Sequence, residues 1–313
     1  MLLDPSRFLE QHKDSEAVTH RMLAALAALS YKTNKLPDGA GLEDIDSKTD
    51  DPNGFDARCV FHRSSSTLIF INRGMEGLAG LRDLSEGYKA AFAGEWRGPI
   101  LSAASYVVSV AKKLQDKRAR SGVDWNDVAQ IACTGHSWGA ALAETQVAVG
   151  LSALKDAQFP GRPLWGAGFG SAGFAEAIRA LSAEKGWPIA ADIHTEMDHY
   201  VRSRDPVRQI QMQTWETLGD VYWQPDIYVV NQRPMSNGPN KIPGTLFQIE
   251  TSIDTSHDRW LYFQLWGQGP SQHFLHAGKD RFYLFDGASP ASRAPSTVNP
   301  IPALIMGKSA FVG

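Results

Sequence analysis

Apolar positions first recur at helical spacing between Glu16 and Ser30, where Val18, Met22, Leu23, Leu26 and Leu29 fall on one face and Ser15 is placed to cap the start. This predicts an amphipathic helix. The polar stretch Thr33 to Asn53 reads as a loop, and Thr67 to Asn72 (TLIFIN) is an unbroken apolar run of the kind that forms a strand covered on both faces. A polar helix around Leu78 to Phe92 and a longer one over Pro99 to Leu114 come next, followed by a second strand at Val128 to Cys133 (VAQIAC). Thr134 to Gly139 turns from that strand into an Ala-rich helix that runs to about Val149. A third strand is expected to precede or include Leu164 to Phe169, with a helix at Gly173 to Ala183 and a fourth strand at His199 to Arg202. Beyond Tyr222 the pattern shortens to β-like pieces at Ile227 to Val230, Thr245 to Glu250 and Trp260 to Leu265. The segment HAGKDRFYLF after them has a helix-like aromatic pattern, and the tail, with Pro290, Pro295, Pro300 and Pro302, reads as irregular.

Strands that alternate with helices predict an α/β fold with a mostly parallel sheet. No repeat, low-complexity tract or linker divides the chain. The expectation is therefore a single domain over 1–313, with an N-terminal helix and loop over 1–60 and a Pro-rich tail over 286–313.

Charge narrows the partners: 31 Lys+Arg against 34 Asp+Glu leave a net −3, without the cationic excess that phosphate binding requires, so nucleic acid is not an expected partner. The longest apolar stretch near the N-terminus, Met22 to Leu29, is 8 residues, against the ~20 that span a bilayer. Asp4, Glu10, Asp14 and Glu16 stand where a signal peptide would carry basic residues, so synthesis in the cytoplasm is expected, with non-classical export left open. Cys59 and Cys133 allow one disulfide at most, and Cys133, inside an apolar run, reads as a buried thiol. The acidic residues Glu43, Asp44, Asp46, Asp50 and Asp51 lack the order of a calcium loop, because Lys48 takes the fifth position from Asp44 and Phe55 the twelfth. They read as a solvated loop, and Lys112, Lys113, Lys117, Arg118 and Arg120 as a solvated helix end. No metal or cofactor is expected.

The chemistry is carried by Gly135-His136-Ser137-Trp138-Gly139, a G-x-S-x-G placed between an apolar strand and a helix of small residues. That is the setting of a nucleophile elbow, in which a sharp turn exposes a serine hydroxyl beside a helix N-terminus. A serine needs a base, and the base a carboxylate; in such folds the chain order is Ser, acid, His. The order leaves His257, His273 and His276 as bases. Asp205 is the best-placed acid, directly after the strand at His199 to Arg202 and followed by Pro206.

Five blocks between residues 67 and 263 resemble the class 3 lipases, the family of the fungal triacylglycerol lipases: LIFINRGMEGLAGLRDL, TGHSWGAALAE, GFGSAGFAEAI, YVRSRDPVRQI and FQIETSIDTSHDRWLYF. The resemblance implies an α/β-hydrolase fold, with Ser137 as nucleophile, Asp205 as orienting acid and His257 as base. His276 and His273 remain alternatives for that base. It also implies an oxyanion hole from the backbone N–H groups of Met75 and Trp138, and makes Glu76 to Trp96 a lid candidate, although the face pattern of that segment is equally that of a helix packed on the sheet. Met75 stands where the family has Thr or Ser, Trp138 where it has Leu, and Ala140 where it has Gly. Trp165, Phe169, Phe174 and Trp187 are candidates for an acyl pocket or for core.

The activity so implied is that of a serine carboxylester hydrolase cleaving lipid esters, with peripheral contact to lipid surfaces that the −3 charge would leave mainly hydrophobic. Two alternatives stand beside it: a catalytically weak lipase-fold protein that binds lipid or a partner, and a peptidase or acyltransferase on the same fold.

Overall fold

The computed structural model describes residues 4–31, 36–49, 55–74, 97–116, 122–171, 173–202, 217–224, 273–276 and 282–284. Among them, nine strands form one sheet whose spatial order is the order of the sequence. These are β1 (Leu42–Lys48), β2 (Ala57–His62), β3 (Thr67–Asn72), β4 (Gln130–His136), β5 (Leu164–Phe169), β6 (Met197–Arg202), β7 (Asp220–Gln224), β8 (His273–His276) and β9 (Phe282–Leu284). Strands β3 to β7 run parallel, and β1, β2, β8 and β9 extend the sheet antiparallel at its two edges.

A parallel sheet built in strict sequence order with right-handed crossovers puts every crossover helix on the same face. Helices α3 (Arg97–Gln115), α4 (Trp138–Asp156) and α5 (Ala175–Lys185) lie there and share one core with Cys59, Phe70, Cys133, Leu164 and Met197. The opposite face needs a cover from elsewhere. It comes from the N-terminus, α1 (Pro5–Gln11) and α2 (His20–Leu29), which pack on Val60, Ile69, Ile71, Ala132 and Phe169. Neighbouring residues of β3 thus alternate between two cores, as the unbroken apolar run TLIFIN requires. A short helix α6 (Ile193–Glu196) leads into β6.

Several boundaries differ from expectation. The first predicted helix starts at His20, capped by Thr19, whose Oγ1 accepts from Met22 N at 3.2 Å; Ser15 instead donates to the Ala17 carbonyl at 2.7 Å. Helix α1 was not anticipated, although Asp4 caps it and Pro5 occupies its first position. The predicted loop from Thr33 contains β1, an edge strand in which Ile45 is the buried residue. Its carboxylates are not simply solvated: Asp44 pairs with Arg58, Glu43 with Arg63 and Asp46 with Lys113 of α3. Such charged side chains are how exposed edges resist further pairing, and they hide the strand from a reading based on hydrophobicity. Helix α4 runs to Asp156, well past Val149, and Phe282–Leu284 of the aromatic segment is strand rather than helix. Asp50, Asp51, Lys117, Arg118, Arg120, the helix at Leu78 to Phe92, the three β-like pieces after Tyr222 and the Pro-rich tail lie outside the described residues.

Both cysteines are buried and free. Phe70 pairs with Cys59 on one side and with Cys133 on the other, so the thiols stand two strand spacings apart, about 9–10 Å, beyond the ~7 Å reach of a disulfide. Burial pushes both thiols well above the usual range. Among the described residues, no helix is long and apolar enough to cross a membrane.

Candidate active site

Ser137 occupies the single residue between β4 and α4, with φ 59° and ψ −125°. A side chain at positive φ is strained, and this conformation is held from outside. Ser137 N donates to the Phe169 carbonyl at the end of β5 at 2.8 Å, and Ala140 N to the Ser137 carbonyl at 3.0 Å. The serine makes no side-chain cap to its own helix.

The glycines of the motif are set by close approach. A β-carbon on Gly135 would stand 2.2 Å from the Gly139 carbonyl oxygen, and one on Gly139 2.3 Å from the Asn72 carbonyl oxygen at the end of β3. The first turn of α4 is therefore wedged against the carboxyl ends of the parallel strands. Its position is reinforced deeper in, where Asn72 Nδ2 donates to Gln146 Oε1 at 2.7 Å.

On the α2 side the elbow meets Tyr31. The Tyr31 hydroxyl donates to the His136 carbonyl at 3.2 Å and lies 3.0 Å from His136 Nδ1, which makes Nδ1–H the donor in the second contact. Gly74, the last described residue before Met75, fits under this pair. A β-carbon there would fall 2.6 Å from the His136 carbonyl oxygen. The exit of β3, the elbow and the end of α2 thus converge at one point of the sheet edge.

Trp138 begins α4, and its ring packs into the crossover-side core, edge-on to Phe174 at 4.6 Å between centroids. The bulk of the Trp138 ring is directed there. Trp165 and Phe169 belong to the opposite core, under α2, while Trp187 sits at the margin of the crossover core and donates to Asp156 at 3.3 Å. These four aromatics are spread over both sides of the sheet and do not form one pocket. Among the described residues there is no group of His, Cys, Asp and Glu able to hold a metal ion.

The other predicted residues are unevenly covered. Met75, Asp205, His257 and the lid segment Glu76 to Trp96 lie outside the described residues. His273 and His276 are the first and last residues of β8, with His276 in register with Tyr222 of β7. His199, set aside as a base on chain order, is fully buried and joined to Glu144 of α4. Asp198, on the neighbouring position of β6, faces the other way and lies 3.5 Å from His20 of α2, whose Nδ1 is 2.6 Å from the Tyr200 hydroxyl.

The sequence reading passed over Glu144, Tyr31 and Gly74. For Glu144 a signal existed: Glu144-Thr145-Gln146 is a polar triplet inside a helix that is otherwise Trp, Ala, Val, Leu and Gly over its first thirteen residues, and all three are buried. Tyr31 carried none, since only the packing of α2 brings it to a motif 105 residues away.

Solved structures similar to this chain include the Lip2 lipase of Yarrowia lipolytica, at 14% identity and a TM-score of 0.45, covering 66% of this chain and 77% of that one. The triacylglyceride lipase of Rhizomucor miehei is 15% identical with a TM-score of 0.42, covering 64% and 77%. A triacylglycerol lipase of Penicillium expansum is 13% identical with a TM-score of 0.40, covering 66% and 78%. No protein-family model matches the chain, and no curated protein does. A mostly parallel sheet with its crossover helices on one face, and a serine at positive φ between a central strand and the helix that follows, give the chain the α/β-hydrolase fold.

Proposed function

We propose that the protein is a serine carboxylester hydrolase acting on lipid esters. The observation that carries this is Ser137, a non-glycine residue held at φ 59° at the head of a 19-residue helix, where strain has no evident use except to present the hydroxyl. The likeness of the five sequence blocks to class 3 lipases supplies the rest of the machinery, Asp205 as acid and His257 as base.

In this mechanism Ser137 Oγ attacks the ester carbonyl carbon as His257 takes its proton. The carbonyl oxygen becomes an oxyanion, stabilised by the backbone N–H groups of Met75 and Trp138. Collapse breaks the ester C–O bond, and His257 passes its proton to the departing alcohol. Water then attacks the acyl-enzyme, giving its proton to His257, and release of the carboxylic acid restores Ser137. Asp205 orients the imidazole and stabilises its protonated form.

A fluorophosphonate probe and p-nitrophenyl esters of graded chain length test the reading on the wild type and on Ser137→Ala, His257→Ala, His273→Ala and His276→Ala. Labelling that disappears in Ser137→Ala, with activity reduced by several orders of magnitude, is the expected result. A wild type that takes no label and cleaves no ester overturns it. Activity lost in His276→Ala but kept in His257→Ala moves the base to His276. Triacylglycerol emulsions against phospholipid vesicles then separate the two classes of lipid ester.

A further inference from the structure

Glu144 lies two turns into α4, seven residues after Ser137, and its side chain is fully buried. One oxygen, Oε1, collects three N–H donors: His199 Nε2 at 3.0 Å, Leu218 N at 2.6 Å and Gly219 N at 3.0 Å. His199 belongs to β6, and Leu218 and Gly219 immediately precede β7. The donors therefore bracket the one stretch of chain that contains Asp205, which His199 precedes by six residues and Leu218 follows by thirteen.

Burying a carboxylate costs several kcal/mol unless it is fully partnered, and a hydrocarbon side chain of similar size avoids that cost in a helix packed on a sheet. What the carboxylate adds is geometry. A leucine could fill the volume, but it could not fix the spacing of three N–H groups drawn from two strands. His199 and the start of the same helix also close on Gly168 together. His199 Nδ1 lies 2.8 Å, and the Ala140 β-carbon 3.0 Å, from the point where a β-carbon on Gly168 would stand.

We propose that Glu144 is a positioning residue, which through Oε1 ties the helix that begins at the nucleophile to both flanks of the segment that carries the acid. His199 is its partner on the β6 flank. The inference rests on the ester-hydrolase reading, because it assigns the tie a purpose in holding Asp205 and Ser137 in register. A displacement of about 1 Å between such groups is enough to cost roughly a hundredfold in rate.

The test uses the full chain, with kcat and KM for p-nitrophenyl butyrate expressed per active site titrated by the fluorophosphonate. Glu144→Leu is expected to lower kcat per titrated site roughly ten- to a hundredfold with KM nearly unchanged. The acid limb of its kcat/KM profile moves to lower pH, because an aspartate moved away no longer favours the protonated base. Glu144→Gln, which keeps the acceptor oxygen, recovers most of the loss. A purely structural role would lower the titrated fraction and the thermal stability while leaving the limb and the per-site kcat unmoved, and that result overturns the proposal. If Glu144→Leu does not fold, His199→Leu, which removes one of the three donors, carries the same test with a smaller expected loss. An active wild type whose variants are unchanged sinks the tie and leaves the hydrolase standing, whereas an inactive wild type sinks both.

Discussion

At the scale of single residues, Ser137 sets local strain against local use. Its β-carbon at φ 59° costs about 1–3 kcal/mol, while a glycine there would give back about 0.4–1 kcal/mol through the greater freedom of the unfolded chain. Ser137→Gly is therefore expected to be more stable than Ser137→Ala by about 1 kcal/mol, read from urea unfolding followed by circular dichroism. Equal midpoints for the two variants would mean that the turn stores no strain. The serine was legible in the sequence because its motif and both flanking elements are contiguous. The polar triplet marked Glu144 as unusual but did not show its role, because the meaning of a buried carboxylate lies in its partners, and those stand 55 to 75 residues away.

At the scale of elements, α4 is the piece on which the site turns. Its two interior glycines have opposite surroundings. Gly139 presses on the backbone of β3, where a β-carbon would meet the Asn72 carbonyl oxygen at 2.3 Å, whereas at Gly150 its nearest neighbour would be the side-chain atom Leu164 Cδ2 at 3.4 Å. Gly139→Ala is expected to lose about 1–3 kcal/mol and to push the helix off the sheet, lowering the rate of fluorophosphonate labelling. Gly150→Ala is expected to gain about 0.5–1 kcal/mol from helix propensity with labelling unchanged. Thermal melts and labelling kinetics on the pair check both signs. Strand β3 was read at its observed limits, since an apolar run covered on both faces carries a strong local signal, whereas β5 was read only as preceding or including Leu164 to Phe169, the stretch it occupies. Strand β1 escaped because an edge strand is half exposed, and its carboxylates are matched by cations that only the sheet and α3 bring near.

At the scale of the whole molecule, the strict order of the strands leaves one sheet face to the crossover helices and the other to α1 and α2. That division explains why α2 is buried on eight of its ten residues, far more than an amphipathic surface helix would be. It also buries the two thiols between the sheet and the crossover helices, with burial raising both. Native protein is expected to leave Ellman's reagent unreacted over hours, with two thiols released in guanidinium. Rapid reaction of either cysteine before unfolding would contradict the packing of β2 and β4 against α3 and α4.

The sequence by itself determined the alternation of strands and helices from β3 to β6 and the placing of Ser137 between a strand and a helix, because periodicity and turn chemistry act over a few residues. Tertiary structure alone decided which face α2 covers, that Tyr31 reaches the elbow, and that Glu144 gathers β6 and the approach to β7 onto α4. Those depend on strand order and helix packing, which bring together groups that no local pattern relates.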